Sequence, residues 1–385
     1  MIKNFISHIF TCLFLILFLC GCTPKNTQTV VQFASWGSKS ETDIIKPILK
    51  DFEGKNPDIK IDFMHIPQNY FQKIHLLFAS NTPPDVIFIN NLYLPVYANA
   101  GGLESIGEWA DLSEYDKNIL RAMSWDNKLY AIPRDVSNLV IFYNKDLFDK
   151  YGVKYPDNNW DWEDFLKTAQ KLTQNGIFGI SFEEKPLYYL PYLMSNGGGI
   201  LSDDLSRVII DDENSKEGLQ FYADLRNKYH VAPKAEESAS ATMAQMFLQQ
   251  KLAMHLTGRW LVPKYREEAS FNWDIVQFPK GKNGSVVSLD ASGWAVVKNS
   301  KHKKEAYKLV NYLSSQESIQ KLTSSGLIVP ARRDVAESKY FLDGKKPENA
   351  KVFLDVIKTA KPTPVSVNYS EITDNLGIKL ERLFN

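Results

Sequence analysis

Residues 126–153, reading DNKLYAIPRDVSNLVIFYNKDLFDKYGV, restrict the fold more than any other stretch of the chain. Pro133 lacks a backbone N–H and bars a continuous helix through it. On either side, Leu129-Tyr130-Ala131-Ile132 and Leu139-Val140-Ile141-Phe142-Tyr143 are short apolar and aromatic runs of strand character. The chain therefore runs extended here. Tyr143-Asn144-Lys145-Asp146-Leu147-Phe148 then turns into a short helix that Gly152 stops. Such a segment reads as a backbone crossing between two lobes, and 385 residues exceed what one hydrophobic core usually supports.

The N-terminus carries a second signal. Residues 9–19 are dominated by apolar side chains and follow Lys3 and His8, which suits an export signal and is short for a membrane span. Leu19-Cys20-Gly21-Cys22 comes next and resembles a bacterial lipobox, which implies cleavage of a leader at 1–21 and lipid modification of Cys22. Residues 22–29 are polar and aperiodic, a tether between lipid and fold. The expected location is outside the cell, lipid-anchored at the outer face of the cytoplasmic membrane. All three cysteines, Cys12, Cys20 and Cys22, fall in or beside the leader, so the folded body has neither disulfide nor thiolate nucleophile.

Beyond the tether, strand and helix signals alternate: strand at 30–36, helix at 42–52, strand at 59–66, helix at 70–79 and strand at 85–90. Ile44, Ile45, Ile48, Leu49 and Phe52 share one face of the first helix, and Phe71, Ile74, Leu77 and Phe78 share one face of the second. Pro47 is expected in the opening turn of the first helix or at a kink. This alternation predicts an α/β fold with mostly parallel sheets covered by helices, whose ligands sit beyond the carboxyl ends of the strands.

Lys128-Leu129-Tyr130-Ala131-Ile132-Pro133 followed by Tyr143-Asn144-Lys145 resembles the first hinge of the family 1 extracellular solute-binding proteins, which capture sugars for ABC importers. The resemblance extends from about residue 30 to residue 332 through Asn56-Pro57, Pro83-Pro84-Asp85-Val86-Ile87, Lys251-Leu252-Ala253-Met254 and Gly258-Arg259-Trp260. It implies a two-lobed periplasmic-binding-protein-like fold of type II, with lobe I at 30–133 and 290–329, lobe II at 134–289 and 330–385, and three hinge crossings. It also implies capture of a mono- or oligosaccharide by lobe closure and its delivery to the transmembrane subunits of a permease, by a monomer needing no cofactor.

Sugar rings offer polarised C–H faces that suit aromatic side chains and hydroxyls that suit charged or amide groups. The chain is 12% aromatic with eight tryptophans, most of which must be core, so position has to discriminate. Trp36 ends the first strand, Trp260 follows Gly258-Arg259, and Trp294 follows Gly293 at the second crossing. Asn90, Asn91 and Tyr93 stand at the end of the strand at 85–90. Arg134 and Asp135 follow the hinge proline, either as a charge pair reaching solute and opposite lobe or as a surface ion pair. Tyr188, Tyr189, Asn196 and Gly198 are candidates for the rim of lobe II, and Arg332 follows the third crossing.

Other function classes find less support. The formal charge is zero, and the lysine-rich run at 298–304 reads as a solvated loop and helix start, so no nucleic-acid partner is implied. The six histidines show no metal spacing, and no GxSxG elbow or GxxxxGK[ST] loop occurs. A glycan-acting hydrolase needs only two carboxylates, which composition leaves open. A binding protein for a polyamine, an anion or a metal chelate is the other alternative. The candidate residues, rich in Trp, Tyr and Asn, favour a neutral polyol.

Overall fold

Strand β1 (Thr29–Ser35), helix Lys39–Lys55, strand β2 (Ile59–His65), helix Tyr70–Ala79 and strand β3 (Val86–Asn90) begin the fold, in a computed structural model that describes residues 28–385. The leader at 1–21, Cys22 and the tether as far as residue 27 lie outside the described residues. Ser38 caps the first helix and Glu41 returns the bond, a capping box that explains the sharp start. Pro47 lies inside this helix, away from its opening turn. Both Pro47 and Asp43 face solvent, so water can serve the carbonyl that proline leaves unpaired.

A short hairpin, β4 (Ser124–Trp125) and β5 (Lys128–Leu129), precedes β6 (Ile132–Ser137) and β7 (Val140–Asn144). Then come β8 (Phe178–Ile180), β9 (Leu252–Thr257), β10 (Trp273–Val276), β11 (Ser288–Val296), β12 (Val329–Pro330) and β13 (Lys361–Pro362). Two sheets result. The larger runs β12-β6-β11-β3-β1-β2 with β13 beside the start of β11, and the smaller runs β10-β7-β9-β8.

The expectation of mostly parallel sheets needs correction. Where a helix returns the chain to the same end of a sheet, pairing is parallel, as for β1 with β2, β1 with β3 and β8 with β9. Strands beside the passages between sheets come from the other end, so β11 is antiparallel to β3 and β6, and β7 to β9 and β10. Both sheets are therefore mixed.

Alternation along the larger sheet divides its apolar residues between two faces. Val31, Phe33, Val86, Phe88 and Trp294 join a core that also contains Ile45, Ile48 and Phe52 of the first helix. Ala34, Ile87, Ile89 and Ala295 face the other way, against Ile74, Leu94 and Tyr97. The first core continues into the smaller sheet through Phe142, Met254 and Trp273.

Among the described residues the chain passes between the sheets three times, apart from the brief return of β13 to the start of β11. Asn138 and Leu139 join β6 to β7, residues 277–287 lead from β10 back to β11, and the run after β12 leads away again. In that last run the Arg333 N–H still bonds the Glu114 carbonyl, whereas Phe384 packs on Phe182, Tyr189 and Tyr222 beside the smaller sheet. Because β6 stays in the larger sheet through Ser137, the passage falls after the boundary expected at residue 133.

Candidate functional site

At the end of β1 the backbone reaches Trp36, whose half-buried indole packs 4.2 Å from Phe88, 5.1 Å from Tyr70 and 5.5 Å from Phe71 between ring centroids. Phe71 in turn stacks on Tyr93 at 3.7 Å. These rings form a continuous aromatic run from Phe88 within β3, through Trp36 after β1, to Tyr93 beyond the carboxyl end of β3.

The next residue, Gly37, adopts φ +138°, and a Cβ there would press on the Glu41 carboxylate. Glu41 thus folds back from the helix start and accepts from Arg134 Nη1 at 2.9 Å. Arg134 also donates to Asp135 Oδ2, through Nη2 at 2.7 Å and Nε at 3.2 Å, and lies 4.1 Å over the Phe88 ring. Arg134 and Asp135 are both buried, so their pairing is no surface ion pair. Asp135 Oδ1 has no hydrogen-bond partner among the described residues. Burial holds the Asp135 carboxyl above its usual range, against the opposing pull of Arg134.

The smaller sheet contributes the opposite wall. After β9, Gly258 admits the Trp260 ring so closely that a side chain there would overlap it. Arg259 is 2% exposed, and none of Nε, Nη1 and Nη2 finds a partner among the described residues. Its guanidinium lies 4.0 Å from the Phe341 ring centre and 5.6 Å from that of Phe353. Burial, reinforced by nearby Arg266, pulls the Arg259 guanidinium down to about 9. The opposing carboxylate, Asp343, is occupied by Arg266 at 2.9 and 3.0 Å.

Trp36, Glu41, Arg134 and Asp135 from one side, with Arg259 and Trp260 from the other, line one cavity of about 200 Å³. Ser137, Ser292 and the run at 327–329 complete it, so the hinge strands form its floor. Four expected residues, Trp36, Arg134, Asp135 and Trp260, therefore converge. Glu41 and Arg259 were not singled out in the sequence. Glu41 has a signal there only as the fourth residue of a helix cap, and Arg259 only as the neighbour of Trp260.

Other expected residues have different work. Trp294 is fully buried in β11, opposite Phe88 and Ile132, where strand alternation points its indole into the core. Asn91 ties β3 to β11, donating to Asp290 Oδ1 at 2.9 Å and accepting from the Ala291 N–H at 3.1 Å. Asn90 accepts from the Tyr93 N–H at 3.1 Å and shapes the turn that presents Tyr93. Tyr189 is 1% exposed against Tyr222 and Phe384, which corrects its placement on a rim, whereas Tyr188 beside it is half-buried. Asn196 donates to the Asn214 carbonyl and to Glu217, and Gly198 permits close packing against Ser215. Arg332 pairs with Asp334 at 2.7 Å and does not line the cavity.

An open cleft of about 870 Å³ also exists, lined by Trp125, Asp126, Asn127, Asp203, Asp204 and Thr363 among others. It shares no residue with the smaller cavity and lacks its pairing of indoles with buried charges. Among the described residues no group of His, Cys, Asp or Glu is arranged to hold a metal ion. No helix among them is long and apolar enough to cross a membrane.

Comparison with known proteins finds likeness over most of the chain. The family described as bacterial extracellular solute-binding protein matches residues 38–320. A galactooligosaccharide-binding protein of Bacillus subtilis (strain 168) is 24% identical over 377 residues, covering 92% of this chain and 86% of that protein. A putative binding protein of Brucella abortus (strain 2308) is 25% identical over 347 residues, covering 88% and 84% respectively. Among solved structures, the ABC substrate-binding protein Lmo0181 from Listeria monocytogenes, in complex with cycloalternan, superposes with a TM-score of 0.86 at 27% identity, covering 93% of this chain and 94% of that one.

Proposed function

The chain belongs to the bacterial extracellular solute-binding proteins, and on that premise we propose that it captures a carbohydrate for an ABC importer. The observation that carries this reading is the cavity into which Trp36 and Trp260 enter from different sheets, with Arg134, Asp135 and Glu41 between them. Indole faces suit the C–H faces of a sugar ring, and a charged triad in which Arg134 and Asp135 are buried suits its hydroxyls. The galactooligosaccharide-binding relative and the cycloalternan complex support the same solute class. The family is one of binding proteins, and the reading contains no covalent step.

The lobes divide where the strands change sheet. Residues 30–137 and 288–336 form one lobe, and residues 138–287 and 337–385 form the other, with β13 of the last segment reaching back to pair with the start of β11. In the open state the solute rests on one lobe; rotation about the crossings then brings the second tryptophan over it, and the closed surfaces dock on the permease. Cys22, lipidated after export and removal of the leader, holds the monomeric protein at the outer face of the cytoplasmic membrane beside that partner. Thermal-shift and calorimetric titration of the purified chain against mono- and oligosaccharides, polyamines and inorganic anions tests the reading. A saccharide that raises the melting point and is recovered intact is the expected result. Turnover of the sugar, or a response to non-sugars alone, would refute it.

A further inference from the structure

Lys298, Lys301, Lys304 and Lys308 all stand exposed, and among the described residues no carboxylate pairs with any of them. The same run at 298–308 holds Lys303, which Glu104 matches at 2.6 Å, and a single acid, Glu305. Setting Glu104 and Glu305 against the five lysines leaves a surplus of three positive charges. The loop that carries them is fixed to the start of the fold. Asp85 accepts from the Gln32 N–H of β1 at 2.8 Å and from the Ser300 hydroxyl at 2.6 Å, while the Lys298 N–H donates to the Gly102 carbonyl at 2.9 Å. Val30 and Gln32 accordingly share a cavity of about 470 Å³ with Ser300, Lys301 and His302. The lysines and the entry of the chain into the fold lie together.

We propose that this lysine face docks on anionic lipid headgroups and sets the resting orientation of the anchored protein. Cys22 stands seven residues before Thr29, so the chain between them spans at most about 25 Å and keeps the start of β1 within that distance of the bilayer. Screening confines electrostatic attraction to about 8 Å at physiological salt, so lysines beside the point of attachment feel the headgroups while distant ones do not. The anchor supplies proximity, and the lysines supply direction. Asp58, exposed where its carbonyl accepts from the Thr29 N–H, is an opposing acid on the other side of β1 and leaves the balance positive. Trp36 follows the far end of β1, so a face resting on the bilayer holds the solute cavity about 20 Å further out, where solute can reach it. A contact made by a few screened charges also yields readily when the protein turns to its permease. This inference rests on the lipid anchor at Cys22 and is independent of which solute is carried.

Lysine acetylation of the lipidated protein in vesicles, read residue by residue by mass spectrometry, tests it. Vesicles of phosphatidylcholine alone are compared with vesicles in which about a quarter of the lipid is phosphatidylglycerol. We expect Lys298, Lys301, Lys304 and Lys308 to react at least about 3-fold more slowly on the anionic vesicles, and the protection to vanish in about 0.5 M sodium chloride. Lys171 and Lys216, exposed in the other lobe, should react at one rate throughout. Lys298→Gln, Lys301→Gln and Lys304→Gln combined should expose Lys308 again without altering solute titration. Equal rates on both vesicles, protection that survives salt, or the same slowing by inorganic phosphate without vesicles would overturn the docking face and leave the anchor standing. An intact mass showing Cys22 without lipid would overturn the anchor and the docking face together, and either result leaves the carbohydrate reading untouched.

Discussion

Trp260 and Trp294 place the same indole in opposite surroundings, one lining a cavity and one sealed beneath a sheet. If half of the roughly 200 Å² of a tryptophan is covered by solute, at about 25 cal/mol per Å², Trp260→Ala should lose about 2.5 kcal/mol of binding, roughly 70-fold. Its melting point should hardly move. Trp294→Ala should instead cost about 3–5 kcal/mol of stability, read by chemical denaturation. His255 supports a second prediction at this scale. Buried in β9 and sharing a 2.6 Å hydrogen bond between Nδ1 and the Tyr265 hydroxyl, it is pulled by desolvation from 6.5 to about 3. Folded His255 is therefore neutral where the unfolded chain binds a proton, so stability falls as pH drops from about 6.5 towards 3. The loss is up to about 1.4 kcal/mol per pH unit, and above 6.5 this residue contributes no slope. The difference between denaturation curves of the parent and His255→Gln should show that slope; a flat difference would refute it. Residue roles of this kind were only partly legible beforehand. Trp36 and Trp260 stand at strand ends, which marks them, whereas Trp294, although it also follows a glycine, precedes Ala295-Val296-Val297 and continues an apolar strand. Arg259 carries no sequence signal that its guanidinium lacks a partner, because pairing is a property of the assembled core.

At the scale of elements, glycines show which contacts are inflexible. Gly293 stands where the register of β11 against β6 shifts, and a side chain there would overlap the Ile132 carbonyl oxygen in the hinge strand. Gly293→Ala should cost about 1–3 kcal/mol, since strand backbone must move to admit the methyl group. Gly377 lies within helix Tyr369–Phe384, where a methyl group would meet nothing within 4 Å, so Gly377→Ala should gain about 0.5–1 kcal/mol. Urea denaturation of both variants decides this; equal effects would contradict the difference in packing at the two glycines. Elements with strong local period were readable from sequence: helix Tyr70–Ala79 has the expected bounds. Strand direction was harder to read. Apolar runs in β6, β7 and β11 look alike whichever way they enter a sheet, and their antiparallel pairing depends on passages between lobes that leave no local pattern.

For the whole molecule, the decisive feature is that two sheets share one apolar core while presenting a cavity between them. Phe33 and Phe88 of the larger sheet belong to the same contiguous cluster as Phe142 and Trp273 of the smaller one. Asn138, at the first passage, donates to the Phe353 carbonyl at 2.8 Å and fastens the returning C-terminal run to the hinge. Halves joined in this way should unfold together, giving one calorimetric transition whose calorimetric and van't Hoff enthalpies agree. A solute held between them binds only the folded chain, so at about 100 times its dissociation constant it adds about 2.7 kcal/mol, raising the melting point by roughly 3–4 °C. Closure about the passages should also reduce the radius of gyration in solution scattering without changing far-ultraviolet circular dichroism, because strands and helices rotate as units. In Trp260→Ala, both responses should require proportionately more solute. Two separate transitions would contradict the shared core, and saturation without compaction would contradict capture by closure.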